Sequence, residues 1–227
     1  MKILINDLMQ ISGAPSAIKT PALSDIYRES SFEANFDEEQ TVNCIGIGYT
    51  DATEITISDG VISYILTLET RTESTRKYNN GLYIIPEFTS DYFLISHNGN
   101  FIGRVGIGVY RTLGTSPTKE IGFYTTTESR VTLSGQTIPG AGGYCGRRIE
   151  LDVRYKIDED VYNDIESAYC NQIMKEYPYF LLLDDEQHKV PPNMLRFYAA
   201  TDKPLSLLQS STYKFLYSYK FSFWERF

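Results

Sequence analysis

The sequence is poor in the residues that most often build catalytic or metal centres. Among its 227 residues are two histidines, three cysteines and one tryptophan. His97 and His188 each stand alone, with no H-x-x-x-H spacing and no nearby cysteine, so we interpret both as surface turn residues. No G-x-S-x-G motif occurs, and Asp184 and Asp185 would point to opposite faces of a strand. We therefore predict no catalytic, cofactor-binding or metal-ligating residue, and a protein that is not an enzyme.

The cysteines form no C-x-x-C pair. Cys44, Cys145 and Cys170 are widely spaced and odd in number, and Cys44 has apolar neighbours. This usage favours buried thiols in a reducing compartment over a disulfide framework.

Long apolar runs and an excess of positive charge are also absent. No apolar run approaches the ~20 residues that cross a bilayer, and MKILINDLMQ loses its apolar run at Asn6 and Asp7, so no signal peptide is predicted. The formal net charge is −8, and residues 1–130 carry 10 basic and 16 acidic side chains against 11 and 13 in residues 131–227. We expect neither a membrane nor a nucleic acid as partner, and we interpret Arg147–Arg148 as part of an exposed strand face.

Two glycine-rich stretches, NCIGIGYT and HNGNFIGRVGIGVY, raise the question of a phosphate cradle. Neither has the third glycine or the following helix of a dinucleotide fingerprint, and no G-x-x-x-x-G-K-[ST] motif exists. Alternation instead places Gly46 and Gly48 on one strand face and Gly106 and Gly108 on one face of another. We expect another backbone or an aromatic ring to approach these bare faces closely.

What the sequence does contain is typical of β structure. It has 18 Tyr and 12 Phe, and residues 41–130 alternate short apolar runs with turn signals such as SDG, YNNG and HNGN. Many short strands at regular spacing predict a sandwich or jelly roll. Asn98–Gly99 is predicted to form a hairpin turn. The acidic stretch SFEANFDEEQ before residue 41 is interpreted as a solvated connection.

The second part of the chain mixes strands with one helix. Residues 111–146 are predicted to be looser, apart from a strand at IGFYTTT, and a strand follows at 147–157. The spacing of apolar residues, with Asp158 as N-cap and Pro178 beyond the end, predicts a helix over 158–176. YFLLLDD and MLRFYAAT read as strands. The predicted domains are 1–130, a β-sandwich or jelly roll, and 131–227, an α+β portion.

The C-terminal stretch YKFLYSYKFSFWERF alternates without a break, with aromatic side chains at every odd position from 213 to 223. Fifteen extended residues would span roughly 50 Å, which is longer than a usual strand. Such a strand either bends at a bulge or runs past its own domain, and its aromatic face needs covering by the parent core or by a neighbouring subunit.

Three stretches in this order resemble minor structural proteins of tailed bacteriophages: SFEANFDEEQTVNCIGIGYTDATEITI, FLISHNGNFIGRVGIGVY and SGQTIPG with RRIELDVRYKIDEDVYNDIESAY. The ending YSYKFSFWERF is like the ends of such chains. The resemblance implies a mainly β fold: an N-terminal jelly-roll (galactose-binding-like) β-sandwich followed by a smaller α+β portion with one principal helix. It also implies a virion protein assembled in the host cytoplasm, and no catalytic residues.

The leading functional hypothesis is a non-enzymatic, ring-forming subunit of a phage tail tip, baseplate or collar. Its partners would be other virion proteins and copies of itself, and no cofactor is expected. The alternative is a carbohydrate-binding module that contacts a host-surface glycan, since tyrosines in RKYNNGLY could offer a stacking platform, although Tyr83 is expected to begin a buried strand. A hydrolase ranks third, because it would need paired carboxylates that converge in space.

Overall fold

A computed structural model gives the structure of the chain. It describes residues 2–4, 7–19, 26–68, 71–73, 76–112, 115–125, 130–131, 137–138, 145–156, 179–183, 196–201, 206–209 and 216–225.

The described residues form sixteen strands, a 3₁₀ turn at Leu8–Ile11 and a one-turn helix α1 at Ser16–Lys19. The strands, numbered in chain order, are β1 (Lys2–Leu4), β2 (Ser31–Thr50), β3 (Glu54–Ser58), β4 (Ser63–Thr67), β5 (Arg71–Glu73), β6 (Arg76–His97), β7 (Ile102–Gly108), β8 (Tyr110–Thr112), β9 (Thr115–Thr125), β10 (Arg130–Val131), β11 (Thr137–Ile138), β12 (Cys145–Lys156), β13 (Tyr179–Leu182), β14 (Arg196–Thr201), β15 (Ser206–Gln209) and β16 (Leu216–Glu225).

The smaller of the two main sheets has the order β4-β3-β6-β2-β7, and neighbouring strands in this order are antiparallel. Its two longest strands, β2 and β6, pair along most of their length and are interrupted by bulges. One bulge lies between Val42 and Cys44. It shifts the alternation of the strand by one residue, so that the even-numbered Val42 and the odd-numbered Ile45 and Ile47 all face one apolar core. Residues of the 3₁₀ turn and of α1, including Met9 and Ile18, close that core from outside the sheet.

The larger sheet has the order β8-β1-β13-β14-β16-β12-β9, and β15 pairs with β16 beside β14. β16 is an interior strand, because it pairs with β12 along nine positions on one side and with β14 and β15 on the other. The predicted strand at the C-terminus is therefore confirmed over 216–225, and this part of it lies within the sheet rather than running beyond it. Phe223 is buried there and makes an edge contact with Tyr179, with ring centroids 5.9 Å apart.

The mainly β fold class is confirmed: the described residues form two main antiparallel sheets, a separate antiparallel pair of β10 with β11, and very little helix. The strands predicted at 147–157, YFLLLDD and MLRFYAAT correspond to β12, β13 and β14. The Asp59–Gly60 turn also forms as predicted, with Gly60 at φ +90° between β3 and β4.

Several boundaries predicted from turn residues are wrong. SFEANFDEEQ is not a solvated connection, because all ten of its residues belong to β2. No turn forms at Asn79, Asn80 and Gly81. These residues lie inside β6, where Gly81 adopts φ +127°. Residues 115–120, expected to be loose, form the first half of β9.

Asn98–Gly99 does not form a β-hairpin. The strands on either side of it, β6 and β7, do not pair with each other, because β2 lies between them and pairs with both. Asn98 acts instead as a cap for the neighbouring loop, since its side-chain oxygen accepts hydrogen bonds from the backbone N–H groups of Thr53 and Glu54 at 2.9 and 3.0 Å.

The predicted helix at 158–176 lies outside the described residues, as do His188, Asp184 and Asp185. The larger sheet joins β1, β8 and β9, which precede residue 130, with strands that follow it. The described strands therefore do not divide between two sheets at residue 130, and the domain boundary stays a prediction.

Candidate interaction surfaces

The bare glycine faces of β2 and β7 lie against aromatic rings of the larger sheet. A Cβ atom built on Gly46 would fall closer than 3.0 Å to three ring carbons of Phe180, and one on Gly106 would lie 2.7 Å from Cε2 of the same ring. A Cβ atom on Gly48 would lie 2.9 Å from Cδ1 of Tyr198. Only residues without a side chain leave room for rings at this distance. The expected close approach of an aromatic ring is confirmed.

Phe180 and Tyr198 stack on each other, with ring centroids 4.8 Å apart and an interplanar angle of 28°. They form a buried cluster with Leu4, Cys44 and Leu82, which joins the two sheets. The glycine strip, defined as Gly46, Gly48 and Gly106, is therefore an internal packing surface, and its backbone is covered where a phosphate would have to sit.

The outer edge of β7 is covered by the N-terminal segment. The Asp7 carboxylate accepts a hydrogen bond from the backbone N–H of Ile107 at 3.2 Å and forms an ion pair with the buried Arg104. Arg104 also donates to the carbonyl oxygen of Ile18 at 2.9 Å. Further along, Tyr27 and Ile102 exchange two backbone hydrogen bonds of 2.9 Å. These contacts satisfy backbone groups that an open edge would leave exposed.

Burial raises the pKa of the Asp7 carboxyl, and the Arg104 charge and the backbone donors Met9 and Ile107 oppose that rise. Burial, followed by the nearby Asp7 charge, raises the pKa of the Cys44 thiol. The Cys44 sulfur donates to the carbonyl oxygen of Gly108 at 3.2 Å. Cys44 is thus a buried free thiol, as predicted, and its chemistry is suppressed rather than activated.

A second buried ion pair ties β12 to β16. Arg147 donates to both carboxylate oxygens of Glu225, from Nε at 2.9 Å and from an η nitrogen at 2.6 Å, and both side chains are fully buried. The guanidinium also donates to the carbonyl oxygen of Arg196 at 2.8 Å and lies 3.8 Å from the ring centroid of Phe197. The interpretation of Arg147–Arg148 as an exposed face is therefore wrong for Arg147. Arg148 is half-buried, 5.0 Å from the ring of Trp224.

His97 is also placed differently from the prediction. Its side chain is 7% exposed, so it is buried rather than on the surface, and its Nε2 atom lies 2.9 Å from the carbonyl oxygen of Glu29. It is the last residue of β6, and its backbone N–H donates to the carbonyl oxygen of Ser30, the residue before β2. Within the described residues, no group of three or more His, Cys, Asp or Glu side chains is arranged to hold a metal ion.

The β3–β4 hairpin is the most exposed apolar feature among the described residues. Val61, Ile62 and Ile65 are 92%, 42% and 69% exposed. The turn is well formed: the Asp59 carboxylate accepts from the backbone N–H groups of Val61 and Ile62 at 2.8 and 2.6 Å. These hydrogen bonds, that of Ile62 first, hold the pKa of Asp59 below its ordinary value.

Among the described strands β4 pairs with β3 alone, so within the described part of the chain its other side is an open sheet edge. Tyr64 and Leu66 point inward and pack against the core of the smaller sheet, and Ser63, Ile65 and Thr67 are exposed. The sequence predicted a strand in VISYILTLET, but it offered no sign that this strand would lie at an edge.

In the described part of the chain, no helix is both long and apolar enough to cross a membrane. The large exposed apolar side chains of the described residues are all aliphatic, and Tyr83 is buried, with the Arg196 guanidinium 4.6 Å from its ring centroid.

Comparisons of this chain with protein-family models, with curated proteins and with solved structures found no match.

Proposed function

We propose that the chain is a non-enzymatic assembly subunit that acts through protein–protein contacts, in the setting of a tailed-phage virion. One observation carries the proposal: the β3–β4 hairpin presents an open, uncharged sheet edge together with three exposed aliphatic side chains. A soluble monomer gains nothing from such an edge, whereas a subunit of an assembly uses it for pairing.

The virion setting rests on the sequence resemblance to minor structural proteins of tailed phages. A ring-forming position at the tail tip, baseplate or collar fits a compact β-sandwich that contacts neighbours at its edges.

Mass spectrometry of purified phage particles tests the setting, and native mass spectrometry of the purified chain tests assembly. We expect the chain to be present in particles at a fixed copy number and to form oligomers in solution. A chain that is absent from particles and monomeric at all accessible concentrations would contradict the proposal.

The carbohydrate-binding alternative has less support from the described residues. Sugar stacking needs an exposed aromatic face, but the tyrosine expected to begin the buried strand, Tyr83, is covered, and the exposed large apolar residues are aliphatic. A glycan array decides between the two: specific binding at millimolar concentration or tighter would favour the carbohydrate-binding module.

A further inference from the structure

We propose that β4 of one copy pairs antiparallel with β4 of a second copy, about a two-fold axis at Ile65. The inference rests on the proposed role as an assembly subunit and names the partner of its open edge. The pairing would join the two smaller sheets into one continuous sheet.

The two edges of the smaller sheet differ in how they are covered. The β7 edge is covered by Asp7, Arg104 and the bridge between Tyr27 and Ile102. The β4 edge has no such cover among the described residues, and it lacks the lysine, proline or bulge that commonly protects an edge strand. Among the described residues, one edge of the smaller sheet is therefore covered and the other is competent to pair.

The distribution of charge also favours a contact between copies at β4. The whole chain carries a net charge of −8, so two copies repel over most of their surfaces. Residues 60–68 contain no charged side chain. An antiparallel pair of β4 strands therefore brings two copies together without placing like charges opposite each other, which would be destabilising.

An antiparallel register centred on Ile65 places compatible side chains opposite each other. With the axis at Ile65, each Ser63 lies opposite Thr67 of the second copy, and the two Ile65 side chains meet on the exposed face. Tyr64 then lies opposite Leu66 of the second copy on the inner face, where each already packs against its own core. Directly opposed side chains have Cβ atoms about 4.5–5.5 Å apart, and Ser–Thr and apolar pairs at that distance are favourable.

The contact is small. Pairing five residues buries less than the roughly 1,000 Å² typical of a stable interface, so the isolated dimer should be weak and concentration-dependent. A two-fold contact also does not close a ring, which needs a separate heterologous surface. The β4 pair would link two subunits, or two rings placed face to face.

Cysteine cross-linking tests the register directly. Under mild oxidation, I65C should form a disulfide-linked dimer, because directly opposed residues come within the Cα separation that a disulfide spans. S63C alone should not, because the two copies of residue 63 would lie about 14 Å apart, four residues along the strands. An equal mixture of S63C and T67C should yield the mixed dimer. The unsubstituted chain, with its native cysteines, sets the background.

Sedimentation velocity gives a second readout. I65K should weaken dimerisation at least tenfold, because two ammonium groups would meet at the axis. T56K is the matched control: Thr56 lies opposite Ile65 on the interior strand β3, so the same charge one strand away should leave the dimer intact. Circular dichroism of both variants checks that they fold.

Absence of I65C cross-linking above background, or equal cross-linking of S63C alone, would overturn the pairing. A dimer unaffected by I65K would do the same. These failures differ from failure of the proposed function: a chain that incorporates into particles without β4 cross-linking keeps its role and loses this contact. A chain that dimerises through β4 but is absent from particles keeps this contact and loses its proposed role in the virion.

Discussion

Replacing Gly46 by alanine should destabilise the fold more than any surface substitution, because the space for one methyl group is already occupied. The new Cβ atom would lie closer than 3.0 Å to three carbons of the Phe180 ring, whereas carbon atoms pack best about 3.5–4.0 Å apart. The ring must move by roughly 1 Å. It cannot do so freely, because it stacks on Tyr198 on one side and faces Gly106 on the other.

Overpacking of this kind costs about 1–3 kcal/mol, and the rigid ring places G46A at about 3 kcal/mol. For a chain of this length, that free-energy change corresponds to a fall of about 6–12 °C in melting temperature. Urea unfolding followed by circular dichroism measures the change. G13A is the matched control, since a Cβ atom there meets its nearest neighbour at an ordinary 3.7 Å, and its effect should stay within about 0.5 kcal/mol.

A double-mutant cycle identifies the cause. F180A alone should cost about 3–5 kcal/mol through the cavity it leaves. In G46A/F180A the alanine methyl enters that cavity, so the double variant should be more stable than the sum of the single effects predicts by at least about 1 kcal/mol. The close contact between Phe180 and the glycine strip would be contradicted by either of two results. One is a free energy of unfolding for G46A within about 0.5 kcal/mol of that of the unsubstituted chain. The other is additivity of the G46A and F180A effects.

Three further outcomes are expected. E225Q should lower the free energy of unfolding by about 3 kcal/mol or more in urea titrations, because it leaves the buried Arg147 charge uncompensated, and an equally stable variant would contradict the ion pair. Cys44 should resist a thiol reagent at pH 8 in the folded chain and react after denaturation. If mass spectrometry finds Cys44 labelled as fast in the folded chain as in the denatured chain, its burial is refuted. The turn at Asp59 should persist above the ordinary aspartate pKa and be lost as the pH falls through the lowered pKa of Asp59 in the folded chain. The NMR chemical shifts of the Val61 and Ile62 backbone amides should follow this titration.

The glycine strip shows what alternation in a sequence can predict. The pattern around Ile45 and Ile47 assigned one apolar face and one bare face to each strand, and both assignments are confirmed. The identity of the covering rings was not predictable, because Phe180 and Tyr198 are more than 70 residues away from every glycine of the strip and no local period links them to the glycines. Long-range pairing of this kind is fixed by tertiary packing.

Turn residues predicted the positions of hairpins less well than alternation predicted the strand faces. Asp59–Gly60 and Asn98–Gly99 carry similar local signals, yet the first closes a hairpin and the second connects two strands on opposite sides of β2. Gly81, beside two asparagines, lies inside a strand because Arg196 of the larger sheet packs against its backbone. The burial of Arg147 was missed for a similar reason: its partner Glu225 is 78 positions away, and a charged residue on a strand ordinarily reads as exposed.

The two sheets differ in how far apart along the chain their strands lie. The main strands of the smaller sheet all fall between residues 31 and 108, whereas the larger sheet pairs Lys2 with Leu182 and so must close a loop over most of the chain. Contacts between segments close in sequence form sooner than contacts between segments far apart, because closing a long loop costs more entropy before the contact can stabilise the chain. We therefore expect the smaller sheet to form first, and its glycine strip to serve as the template on which β13 and β14 later dock.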